Sequence, residues 1–200
     1  DLRARERIAQ FPEAECFAFS PVAPVLAFQL EGNVRLWNLE SGQIEKEIPT
    51  GGCRALAFSA DGRKLLGAHG MAEFITWEVA TGEVISQATA PSPDGRRRFS
   101  VYGDQVTFNG DLTLAAQTVG GDSVRVLDLK SGEELWRAQA AEESVTELTF
   151  SPDGRLLASA AGFVESAVRL WDVSSGSEIG RLEGHRTFVR SLAFAPNGEA

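Results

Sequence analysis

Histidine and cysteine are nearly absent from this chain, with His69 and His185, Cys16 and Cys53 as the only examples in 200 residues. A nucleophile–histidine–acid set therefore has little to draw on, and no strained Gly-x-Ser-x-Gly elbow occurs. Zinc-ligand spacing is missing, and so is any Gly-x-Gly-x-x-Gly or Gly-x-x-x-x-Gly-Lys phosphate loop. No catalytic residue, metal or cofactor is expected. Two cysteines make no disulfide framework, and each precedes an apolar segment. Both read as small buried apolar residues in a reducing compartment.

Positive charge is also short. Nineteen Lys and Arg face 28 Asp and Glu, for a net charge of −9. A general nucleic-acid binder needs the opposite balance to displace counterions from phosphate. Apolar runs are only strand-sized, so no membrane span is expected. No basic segment followed by an apolar core opens the chain. A cytoplasmic location is the expectation.

What is present is repetition. Five strands end in Phe before a turn: "AFSPVAP" (18–24), "AFSADG" (57–62), "TFNGD" (107–111), "TFSPDG" (149–154) and "AFAPNG" (193–198). Four more end in an aromatic–acidic pair or its relic: "VRLWN" (34–38), "FITWE" (74–78), "VRVLD" (124–128) and "VRLWD" (168–172). A tight turn follows each of these four, closing on Gly42, Gly82, Gly132 or Gly176 at steps of 40, 50 and 44. Phe19, Phe58, Phe108, Phe150 and Phe194 keep the same rhythm. Each unit holds four short strands and no helix-period stretch; in the last full unit they cover 145–150, 155–161, 166–173 and 178–184. Four strands in a repeat of this length are the signature of a propeller blade.

The stretch "TFSPDGRLLASAAGFVESAVRLWDVSSG" (149–176) followed by "RLEGH" (181–185) closely resembles the WD-repeat family. That resemblance covers essentially the whole chain and implies an all-β, WD-repeat β-propeller fold. Four full four-stranded blades are expected with part-blades at both ends, an incomplete ring from a propeller of seven. The expected layout is a strand of a preceding or closing blade at 1–13 and blades at 14–49, 50–90, 105–140 and 141–184. An insertion loop occupies 91–104, and a fifth blade starts at 185–200. The segment 184–198 is similar in style to WD arrays of bacterial multidomain proteins, some of which carry kinase domains. The chain is accordingly expected to be a piece of a longer parent, its ring completed by further blades of that parent or of another copy.

Both faces of a blade pack on neighbours, so "VRLWD" places Val168 and Leu170 on one face and Trp171 on the other, with the Arg169 head in water. Asp61, Asp111 and Asp153 read as turn formers, not metal ligands. The resemblance also implies a buried Trp, Ser/Thr, Asp and His tetrad, and this sequence has eroded it. The fourth unit keeps Trp171 with Ser159, and Asp172 beside the Trp, but Glu165 stands in the Asp place. Leu127 replaces Trp in the third unit, while Trp37 and Trp77 lack evident partners. Gly184-His185 is the one Gly-His pair.

Recognition residues concentrate on loops held by a rigid frame. The connection from Gly82 to Phe108 is 26 residues against 16 to 18 elsewhere, and the excess is "APSPDGRRRFSVYGD" (90–104). It places Arg96, Arg97 and Arg98 beside Phe99 and Tyr102, a pattern suited to an acidic or phosphorylated peptide; a solvated hairpin is the plainer reading. Arg186, Phe163 and Phe188 fall on the same rim by their place in the repeat, and His69 is expected at the surface. The functional expectation is a non-catalytic scaffold presenting a propeller rim to a protein or peptide. Its alternatives are a regulatory or sensor array attached to a catalytic domain elsewhere, and a propeller-fold hydrolase.

Overall fold

A computed structural model describes residues 14–70, 72–91, 105–162 and 166–196. Among these residues every regular element is a strand, and the strands form four sheets of four. The first sheet holds β1 (Phe17–Phe19), β2 (Val25–Leu30), β3 (Asn33–Asn38) and β4 (Ile44–Pro49). The second holds β5 (Ala55–Phe58), β6 (Lys64–His69), β7 (Glu73–Glu78) and β8 (Val84–Thr89). β9 (Val106–Phe108), β10 (Leu114–Val119), β11 (Ser123–Asp128) and β12 (Glu134–Gln139) make the third. The fourth comprises β13 (Val145–Phe150), β14 (Leu156–Ala161), β15 (Val168–Asp172) and β16 (Glu178–Leu182). Strand order within each sheet is chain order. This is the all-β, partial-propeller architecture the repeat calls for, and the first strand of every blade ends on its repeat Phe.

Two turns recur because the sequence dictates them locally. After the Phe, a small polar residue caps the turn into the second strand. The Ser59 hydroxyl donates to Asp61 at 2.6 Å and accepts the Lys64 N–H at 3.0 Å. Ser151 repeats this with Asp153 (2.6 Å) and Leu156 (2.9 Å), and Asn109 Oδ1 accepts from Leu114 at 2.9 Å. After the third strand, the closing Asn or Asp turns its side chain back on the following N–H groups. Asn38 Oδ1 accepts from Glu40 and Ser41, Asp128 from Lys130 and Ser131, and Asp172 from Ser175. The turn glycine then bonds the same residue's carbonyl at 2.7–3.0 Å, with φ between 67° and 79°. Only glycine takes that backbone without strain.

The chain divides near residue 87 into two compact units. In the first, Ala27, Val34, Leu36 and Ile48 of blade 1 pack with Leu56, Leu65 and Trp77 of blade 2. In the second, Ala116, Val124 and Val126 of blade 3 pack with Val145, Leu148, Leu157 and Trp171 of blade 4. The opposite face of blade 4 gathers Ala158, Ala160, Val168 and Leu170 against Val189, Leu192 and Phe194. Val168 and Leu170 therefore do face away from Trp171, as the alternation requires.

Two expectations need correction. His69 is buried, not at the surface, because it folds against the Trp77 ring. The Arg169 head is not left in water: it pairs with Glu178 of β16 at 3.2 Å. Residues 189–196, in the segment 185–200 expected to start a fifth blade, form no regular strand. They have no ladder partner among the described residues and are held by Val189, Leu192 and Phe194, with the Thr146 hydroxyl donating to the Val189 carbonyl at 2.8 Å. The strand expected within 1–13 lies outside the described residues.

Candidate interaction surface

The long connection between blades 2 and 3 is rooted at both ends. At its start, Nη1 of Arg125 donates to the Pro91 carbonyl at 2.8 Å. Arg125 sits in mid-β11 with its side chain fully buried, and the same Nη1 reaches Glu134 of β12 at 3.4 Å. At its end, the Gln105 N–H donates to the Thr118 hydroxyl at 2.9 Å, and the Thr118 N–H donates to the Gln105 carbonyl at 3.0 Å. Blade 3 thus fixes the two stems of the connection within one unit. Arg96, Arg97, Arg98, Phe99 and Tyr102 between those stems lie outside the described residues, as do Phe163 and Glu165.

The buried arginine belongs to a series. Arg35, Arg125 and Arg169 hold the same place in their third strands, and each pairs with a glutamate on the neighbouring fourth strand: Glu47 at 3.3 Å, Glu134 and Glu178. The Arg137 hydrogen bond to Glu134, at 2.8 Å, holds that carboxyl below the usual glutamate range, and Arg125 adds to the effect. Sequence reading missed this role for the "VRLW" arginine. Its signal was present, because the residue recurs where a wholly apolar strand would suffice.

Near the last blade, Arg186 is exposed, and Phe188 is half-buried with the Arg190 guanidinium 4.7 Å above its ring. His185 is exposed and Gly184 has a φ of 128°. The Gly-His pair is therefore not drawn into the Ser159–Trp171 contact. That contact does form: the Trp171 indole N–H donates to the Ser159 hydroxyl at 2.8 Å, and both residues are buried. Asp172 serves the turn instead of the indole, and the hydroxyls and N–H groups around it keep its carboxyl below the ordinary range.

Trp37 and Trp77 are both buried in their blades. Trp77 takes His69 as its ring partner, with centroids 5.8 Å apart in an edge-on arrangement. Gly67, paired across from Ile75, leaves the room: a Cβ there would stand 2.8 Å from two carbons of the indole. In blade 3, Leu127 fills the third-strand position, and a different tryptophan supplies cohesion. Trp136 of β12 donates from its indole to the Val173 carbonyl of the next blade at 2.7 Å and stacks on Trp171 at 6.3 Å. Lys46 of β4, at the matching place, donates to the Ala80 carbonyl. Within each unit, then, a fourth strand reaches across to the following blade's outer turn.

Among the described residues, no group of three or more His, Cys, Asp or Glu is placed to hold a metal ion. The chemistry on view is hydrogen bonding and ion pairing.

Residues 106–197 match the family described as the anaphase-promoting complex subunit 4 WD40 domain. More than a thousand solved chains resemble this one. Among them is a chain from the crystal structure of the mitotic checkpoint complex, at a TM-score of 0.67 and 20% identity, covering 94% of this chain. At that identity the likeness is one of fold, and this chain spans 55% of that chain's length. No curated protein matches this sequence.

Proposed function

A chain of the WD-repeat β-propeller family offers loops on a fixed sheet frame, and on that premise we propose that this one is a non-catalytic protein-interaction module. The observation that carries the reading is the double rooting of the 92–104 connection by Arg125 and Thr118. Those bonds hold Pro91 and Gln105, the residues on either side of the connection, on blade 3, and recognition residues concentrate on connections that leave a rigid frame. The sequence between those stems carries Arg96, Arg97, Arg98 and Phe99 in a chain of net charge −9. Its partner chemistry is an acidic or phosphorylated peptide, since guanidinium groups take carboxylate or phosphate in bidentate bonds.

The test is binding of the purified protein to an array of acidic and phosphorylated peptides. Replacing all three arginines with alanine is expected to weaken the peptides that bind by about 10-fold or more, a loss of roughly 1.4 kcal/mol. Unchanged binding by the triple variant removes the loop from the surface. Turnover on a hydrolase and phosphatase panel would overturn the non-catalytic reading itself.

A further inference from the structure

Cys16, just before β1, and Cys53, just before β5, are separated by 37 residues, yet their Sγ atoms stand 3.6 Å apart. Both are free thiols. Exposure is 9% for Cys16 and 4% for Cys53, amid Ala27, Val34, Leu56 and Leu65. Backbone bonds hold both approaches: Gln29 N–H donates to the Cys16 carbonyl at 3.0 Å, and Arg54 N–H to the Ala68 carbonyl at 2.9 Å. The Cys16 thiol also lies 3.3 Å from the Cys53 carbonyl. Small apolar filling accounts for the burial. It does not account for two sulfurs meeting across two blades, where any pair of small side chains would serve.

We propose that Cys16 and Cys53 are a peroxide-responsive dithiol that closes reversibly to a disulfide, tying the first strands of two successive blades together. A disulfide sets its sulfurs about 2 Å apart, so the pair has to close by about 1.5 Å. The two thiols differ in a way that orders the steps. Cys16 is the more exposed, so an oxidant meets its sulfur first, and its narrow access favours a small oxidant over a bulky disulfide donor.

The Cys16 thiolate attacks one oxygen of hydrogen peroxide, the O–O bond breaks, and a sulfenic acid and hydroxide result; the hydroxide takes up the proton that Cys16 had released. The Cys53 sulfur then attacks Cys16 Sγ. The S–S bond forms as the S–O bond breaks, and the departing hydroxyl leaves as water with the Cys53 proton. Two thiols are oxidised by two electrons, and one peroxide becomes two waters. A thiol reductant reverses the bond by exchange.

The experiment treats the purified protein with hydrogen peroxide, then alkylates it under denaturing conditions for mass analysis. The expected product is about 2 Da lighter than the reduced chain, carries no label at either cysteine, and yields a Cys16–Cys53 linked peptide. Dithiothreitol should restore both labels. Cys53→Ser is expected to strand Cys16, which then gains about 32 Da as a sulfinic acid. Cys16→Ser should leave Cys53 fully labelled after the same treatment. Full labelling of both thiols in the unsubstituted protein, or linkage only between separate molecules, overturns the proposal. That measurement uses no variant, so it stands even where a serine variant fails to fold.

Discussion

The Trp171 indole N–H meets the Ser159 hydroxyl at 2.8 Å across the β14–β15 ladder, on the face of blade 4 turned toward blade 3. Ser159 is completely buried, so the bond is made where water cannot replace it. Ser159→Ala leaves a buried N–H without an acceptor and is expected to cost about 1–3 kcal/mol. Trp171→Phe removes the donor and leaves a void. The double variant should fall short of the summed single losses by about 1 kcal/mol in urea unfolding. Strict additivity would mean that the bond contributes nothing.

Gly67 and Trp77 make the converse pair, in which a missing side chain is the requirement. Gly67→Ala puts a methyl 2.8 Å from the indole, against a buried ring that has no flexible end to yield. Overpacking of this kind is expected to lower stability by about 1–3 kcal/mol. In a Trp77→Phe background most of that penalty should disappear. Its persistence would locate the clash elsewhere.

Trp136 joins blade 3 to blade 4 by one hydrogen bond and one ring stack. Trp136→Phe keeps an aromatic ring but loses the bond to the Val173 carbonyl, at an expected cost of about 1 kcal/mol. Trp136→Ala loses the ring as well and should cost about 2–3 kcal/mol. Equal losses for the two variants, measured by denaturant titration, would show that packing plays no part.

Two carboxyls should shape the pH dependence of stability in opposite senses. Burial raises Glu147 above its ordinary value, so the folded chain holds a proton that the unfolded chain releases. The stability tied to Glu147 is present below the ordinary glutamate pKa and is lost as pH rises through the folded value. Glu147→Gln is therefore expected to raise Tm at about pH 7 and leave it unchanged near pH 3. Asp153 is held below its ordinary value by the Ser151 hydroxyl and the Arg155 N–H. Its contribution is present above the ordinary aspartate pKa and disappears as pH falls through the folded value. Asp153→Asn should flatten the acid side of the Tm profile. An unchanged acid limb would detach this turn from acid unfolding.

The strand ends were legible because Phe, Gly and Asp mark them chemically. Those of blade 4 fall within two residues of the expected bounds, and Ser159 was found beside Trp171 through the spacing of the repeat. The sequence hid what depends on a neighbour's orientation. His69 looked like a loop residue, whereas it ends β6 buried edge-on against the Trp77 indole. Cys16 and Cys53 each looked like filler, and their meeting requires knowing that consecutive blades bring first strands side by side. Trp136 was obscured by the weak, half-polar pattern of a fourth strand, "ELWRAQ". Its role lies in the next blade's turn, 37 residues on.

Because every sheet pairs its strands in chain order, each blade needs only its own neighbours in sequence to form. Local pairing of this kind makes the loop-closure entropy small and the contacts quick to find. During synthesis, a blade can close as soon as its fourth strand leaves the ribosome, before the following blade exists. The polar turns, built from bonds spanning two to five residues, would form first and set each hairpin's register. Order of emergence and order of strand pairing then coincide.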